Sequence, residues 1–316
     1  AVTGVQTCAL PISLIRRSMQ ASYDLHLTDA RSASLELLER YPDHPAGYTL
    51  MAETYWWEAQ LDPQNSEIEK QYYSAQKLAV DKAEDALKQK KYPQVELLAY
   101  LASAHGSYAR FQVTQKSAYF SAMRAGLRAH RYAEEVYRAD KNYYDIWLGL
   151  GAFNYFTGAL PGVIKPFAFL IGVRGDKSLG FQQLKVAMER GRYAQTEAKI
   201  VYYTALLEDK QYDTALATLE SLMAEHRDNV ALYTWATELF REQQKNLEGA
   251  AYFERLYQKN ATQSPSVAKY ALLEEVQLLR AHNRPVEASQ VLQRLKSAPV
   301  NDALLNSKIQ RLERGK

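Results

Sequence analysis

The chain has 316 residues, 47% of them hydrophobic and 24% charged. That length suffices for a large core or an elongated array, and the composition excludes a disordered tail. A net charge of +3 excludes a strongly basic nucleic-acid binder, and no apolar run reaches the ~18 residues of a membrane-spanning helix.

At the N-terminus, Val2–Ile12 (VTGVQTCALPI) reads as translated sequencing-adapter sequence. Residues 1–12 are therefore expected to be an artefact, with native sequence beginning near Ser13. Cys8, the only cysteine, then carries no chemistry, which leaves no thiolate for a disulfide, a zinc site or a nucleophile. A leader or lipidation signal would precede Ser13, so the compartment cannot be read from this end.

From Ser13 onward, strand alternation and hairpin dipeptides are nearly absent, while apolar and small residues recur at i, i+3, i+4 and i+7. The pattern predicts roughly fourteen helices joined by short loops. In chain order, Ala30-x3-Ser34-x2-Leu37 is followed by Pro42, and Tyr48-x2-Met51-Ala52-x2-Tyr55 follows in turn. Glu67–Gln89 and Lys116–Asp140 read as unusually long helices, with Pro93 at the start of the helix between them. Arg124, Arg128, Arg131 and Arg138 interleave with Glu134, Glu135 and Asp140, which reads as a solvated helix face. Trp147-x2-Leu150-Gly151 comes next, with Asn154 and Tyr155 one turn on.

The pattern then breaks over 156–180, an apolar stretch punctuated by Gly158, Pro161, Gly162, Pro166, Gly172 and Gly175. Asp176 is the expected N-cap of a helix over Lys177–Arg190. The string Gly172–Ser178 looks superficially like a phosphate loop, but Asp176 puts negative charge where phosphate would sit and no strand precedes it. Arg174-Gly175-Asp176 spells an integrin-type tripeptide that an N-cap aspartate explains. Phe156, Phe167, Phe169, Leu170 and Ile171 are expected to plug the inner side of the array, with contact to a membrane surface as the alternative.

Beyond the insert, Tyr233-x2-Ala236-Thr237-x2-Phe240 repeats the first-helix pattern. Ala215-x3-Leu219-x2-Leu222, Gly249-x3-Phe253-x2-Leu256 and Ala288-x3-Leu292-x2-Leu295 repeat the second. A more polar helix over Asn301–Glu313 reads as a cap. Small residues at these spacings let paired helices approach closely, and aromatics fill the grooves between pairs.

These windows resemble the tetratricopeptide repeat, a period of about 34 residues with W-x2-L-G-x2-Y on the first helix. The predicted fold is all-α: a right-handed α-solenoid of such helical pairs. It is read as one domain over 13–316, with N-terminal repeats at 13–155, the insert at 156–180, C-terminal repeats at 181–300 and a capping helix at 301–316. Gly149–Phe156, Leu160-Pro161, Lys165, Gly175-Asp176-Lys177, Gly180, Leu184 and Gly191-Arg192-Tyr193 with Glu197-Ala198 resemble a bacterial family of uncharacterised tetratricopeptide-repeat proteins. The insert is also similar to the eukaryotic tetratricopeptide repeat protein 39 and inclusion-body-clearance family. The resemblance implies a non-enzymatic scaffold, without cofactor, binding a protein or peptide on its first-helix face, in the bacterial periplasm or cell envelope. The alternative is an envelope or membrane-peripheral protein that contacts lipid or lipidated partners through 156–175.

Exposed first-helix residues Glu53, Trp57, Arg110, Glu238 and Arg241 are the candidate interaction residues. Pro161, Lys165, Phe167, Phe169, Gly175, Asp176 and Gly180 form the insert signature. The six histidines show no metal-ligand spacing, and no nucleophile elbow is present. Glu134/Glu135 and Glu274/Glu275 are adjacent in sequence, point to different helix faces and read as surface charges.

Overall fold

The computed structural model describes residues 12–160, 162, 173–297 and 302–313. Every regular element among the described residues is an α-helix. Where the sequence reads 13–316 as one domain, residue contacts cluster in two compact units, Ala1–Ala205 and Leu206–Lys316, described in turn.

Unit 1 contains α1 (Ile12–Tyr23), α2 (Leu27–Arg40), α3 (Pro45–Leu61), α4 (Ser66–Gln89), α5 (Gln94–Thr114), α6 (Tyr119–Ala139), α7 (Ile146–Gly158) and α8 (Lys177–Arg190). It ends within α9 (Gln195–Glu208). Consecutive helices pack as hairpins, and α1, α3, α5 and α7 also touch in succession, so first helices share one face. Unit 2 holds α10 (Tyr212–Glu225), α11 (Val230–Glu242), α12 (Asn246–Asn260), α13 (Pro265–Ala281), α14 (Pro285–Ser297) and α15 (Ala303–Glu313), with α11, α13 and α15 in succession. The long helices expected in the middle are α4 and α6.

The small positions of the pattern are the buried ones. Ala30, Ser34 and Leu37 are sealed in unit 1, and Ala215, Leu219 and Leu222 in unit 2. Sealing a leucine of this kind contributes about 1.5–3 kcal/mol relative to leaving it in water. The first aromatic of the pattern has a further role. The hydroxyls of Tyr48 and Tyr233 donate back to the carbonyls of Pro42 and Arg227, each at 3.3 Å. Just ahead of each tyrosine sits an N-cap, His44 or Asn229, whose side chain accepts from the backbone N–H two residues on at 3.1 Å. His44 is therefore a buried cap.

Five of the turns from first to second helix share another device. Leu25, Ser117, Lys210, Gln244 and Asn283 all take left-handed backbone, φ between 51 and 59°. The next N–H reaches back to close the helix: His26 to Ala21, Gln211 to Leu206, Lys245 to Phe240, Arg284 to Leu279, all at 2.8–2.9 Å. Glycine is the residue that marks such a cap in a sequence, and none of the five is glycine.

The frame around the insert is built on contact between α7 and α8. A Cβ on Gly180 would stand 2.6 Å from the Tyr155 nitrogen, and one on Gly151 would stand 2.9 Å from the Leu184 nitrogen. Asp176 caps α8 as expected, its carboxylate accepting from the Leu179 N–H at 2.9 Å. Pro161, Lys165, Phe167 and Phe169 lie outside the described residues.

Candidate interaction site

On the first-helix face of unit 1, Arg110 of α5 pairs with Glu53 of α3 and with Glu197 of α9. Its guanidinium also lies 3.8 Å from the centre of the Trp56 ring. The Arg110 and Glu197 side chains keep only 15% and 16% of their surface in contact with water. Burial works against the Arg110 charge, yet Glu197 and Glu53 outweigh it and hold the group further above its ordinary range. Glu197 is pushed up, by burial first and by Glu53, against the pull of Arg110. The Tyr23 hydroxyl is raised well above its usual value by burial and by both carboxylates. Two acids thus share one cation in a largely dry setting, which links α3, α5 and α9.

The segment bringing Glu197 there is held by Asp145, ahead of α7. One Asp145 carboxylate oxygen accepts from three consecutive backbone N–H groups, Arg192, Tyr193 and Ala194, at 2.6, 2.8 and 2.9 Å. Arg190 stacks on Tyr144 beside this clasp, 3.8 Å from its ring centre. Tyr193 then packs against Leu14, Ile15, Leu37 and Leu50 at the start of the chain. The first-helix face of unit 1 is therefore occupied by its own Tyr193–Glu197 segment.

That geometry corrects the expected exposure of three candidates. Trp57 is only 1% exposed, edge-on to Trp56 and Tyr23, because the aromatic fills the groove between pairs. Glu53 and Arg110 are tied up in the triad. Of the insert signature, Gly175 and Gly180 serve backbone approach and Asp176 serves capping.

In unit 2, Arg241 pairs with Glu238 at 2.9 Å on the outer side of α11, and Glu238 is exposed. Behind them is a polar layer the sequence did not disclose. Glu274 is fully buried, accepting from Thr234, Thr237 and Gln277 at 3.0, 2.7 and 2.9 Å. Burial raises its titration, against the hydrogen bond from Thr237. Glu275 is buried on a different face of α13, and burial followed by Glu254 pushes it up to about 7. Arg294 grips Glu254 through two bonds of 2.9 and 3.1 Å. The expectation of surface charges at Glu274/Glu275 is thus overturned. Their divergence onto two faces holds, but both faces of α13 are covered.

The strongest outward-facing feature went unmarked in the sequence. At the α5–α6 turn, Tyr119 and Phe120 are 69% and 70% exposed, with Val113 and Met123 also exposed nearby in the chain. The hydrophobic positions of α6 were legible, but which lay beyond the end of α5 depended on Ser117 taking left-handed backbone.

No family model matches the chain, and no curated protein matches it. Among solved structures, the chain is similar to the crystal structure of a tetratricopeptide repeat protein from Parabacteroides merdae. The two share 12% identity over 95% of this chain and 97% of that one, with a TM-score of 0.38.

Proposed function

We propose that the protein is a non-catalytic helical scaffold whose partner is a protein or peptide. The observation that carries this reading is the exposed Tyr119–Phe120 pair at the tip of the α5–α6 hairpin. Paired aromatics held in water by two long helices are the composition of a docking anchor, and their solvation is unfavourable unless something covers them. The filled first-helix face of unit 1 supports this tip over that face as the docking surface. In unit 2, Glu238 and Arg241 on α11 are the second candidate surface.

The test is affinity capture with the full chain against Tyr119→Asp plus Phe120→Asp. The variant is expected to keep its helical circular dichroism and to lose specific partners. Identical partner lists for the two proteins would sink the reading.

A further inference from the structure

Beside the aromatic tip, α4, α5 and α6 enclose a cleft of about 350 Å³. Its wall on α6 presents Arg124 and Arg128, one helical turn apart, and the other walls include Tyr73, Gln76, His105 and Tyr108. We propose that this cleft receives an acidic segment of the protein partner, a carboxylate side chain pairing with Arg124 and Arg128. The proposal rests on the scaffold reading and names the chemistry of its partner.

Charge is the first argument. Acidic residues interleave with the arginines in sequence, but the folded helix sorts them. Glu134 pairs with Arg138 at 2.9 Å and faces His130. Among the described residues, Arg124 and Arg128 have no carboxylate within ion-pair distance, and the one carboxylate lining the recess, Asp81, is taken up by Lys77. His105 is driven down to about 4, by burial first and then by Arg128 of the cleft and Arg131 outside it. A carboxylate placed there gains charge-assisted bonds in a partly desolvated setting.

Shape and hydrogen bonding support a peptide. The volume sits at the low end for ligand sites and suits one acidic side chain with its adjoining backbone. At the floor, Gln76 donates its amide to the Ala104 carbonyl, which leaves the Gln76 oxygen buried with no donor among the described residues. Tyr73 and Tyr108, with ring centres 6.0 Å apart, offer apolar walls. Phe120 lies one turn before Arg124 on the same stripe of α6, so an apolar residue beside the acid meets the tip. A nucleic acid would require a longer basic track than two turns of helix.

The experiment uses the full chain and a fluorescein-labelled, end-blocked hexapeptide alternating glutamate and phenylalanine, with a lysine–phenylalanine analogue as control. Fluorescence anisotropy is expected to show saturable binding of the glutamate peptide alone. Arg124→Glu plus Arg128→Glu, both exposed positions, should weaken it about tenfold or more while leaving thermal unfolding unchanged. Peptide saturation should also raise the His105 titration midpoint followed by NMR. Absence of saturable binding, equal binding by the reversed variant, or tighter binding of inorganic phosphate or a short single-stranded oligonucleotide would overturn the assignment. Failure of the parent reading is separate: there the tip variant captures the same partners as wild type. If the tip variant loses partners while charge reversal leaves peptide binding intact, only the cleft is refuted.

Discussion

Loss of Arg110 would be costly, because it leaves two carboxylates without their shared cation in a nearly dry layer. Arg110→Met should reduce stability by about 3 kcal/mol, read as a lower midpoint in urea unfolding. Adding Glu53→Gln and Glu197→Gln should recover most of that loss, since the cost arises from unpaired charge and not from missing volume. If the triple variant is as unstable as the single, the triad is not electrostatic in origin. Glu275 makes a different prediction. Its folded titration is raised from 4.5 to about 7, so the folded state holds a proton that the unfolded chain releases across that window. Stability from this group is fully present below about pH 4.5 and falls as pH rises to about 7. Glu254, held low by Arg294 and Gln258 although burial opposes its charge, works in the opposite sense at more acid pH. Glu275→Gln, which keeps a donor beside Glu254, should therefore unfold at higher temperature than wild type at pH 8 and at nearly the same temperature at pH 4.5. A parallel shift at both pH values would remove the protonation argument.

At the level of helices, glycines separate into two kinds that the sequence does not distinguish. A Cβ on Gly180 collides with the Tyr155 backbone, whereas nothing lies within 4 Å of a Cβ on Gly106 or Gly126. Gly180→Ala should destabilise by about 1–3 kcal/mol through forced separation of α7 and α8. Gly106→Ala and Gly126→Ala, in the interiors of α5 and α6, should each stabilise by about 0.5–1 kcal/mol. Thermal unfolding of the three single variants checks the ordering. The helices themselves were legible, because periodicity, Asn65, Asp176 and Asn229 at N-caps, and Pro at helix starts are local signals. Left-handed closures at Leu25, Lys210 and Gln244 were not, since those residue types carry no turn signature. Asp145 was equally silent. Its three N–H partners lie 47 to 49 residues away, and a lone aspartate before a helix looks like an ordinary cap. Asp145→Ala should cost about 3 kcal/mol, and Asp145→Asn, which keeps a carbonyl acceptor, clearly less.

For the whole chain, the class of fold could be read because it follows from short-range spacing repeated many times. The site could not, because it depends on pairings such as Arg110 with Glu197, 87 residues apart, which no periodicity encodes. First-helix positions were correctly located at Glu53, Trp57 and Arg110, but in unit 1 the chain covers that face with its own later segment. The same limit applied to Arg124 and Arg128, whose neighbouring acids were visible in the sequence while their sorting around α6 was not.

The glycine contact at the end of α7 has a consequence for how this protein can be rebuilt. A Cβ on Gly175 would lie 2.3 Å from the Gly158 nitrogen, so the chain leaves α7 and returns towards α8 at almost the same point. The two ends of the segment between those glycines therefore share a doorway, and closing a longer or shorter connection across it alters the entropy only slightly. Exchanging 160–172 for a few glycines and serines, with the buried Val173 kept, should leave the unfolding temperature within about 3 °C of wild type. A collapse of helical signal on exchange would mean the segment is a strut. Retention would make this doorway a place to graft other sequences, and would let any activity of the insert be assayed apart from the scaffold that carries it.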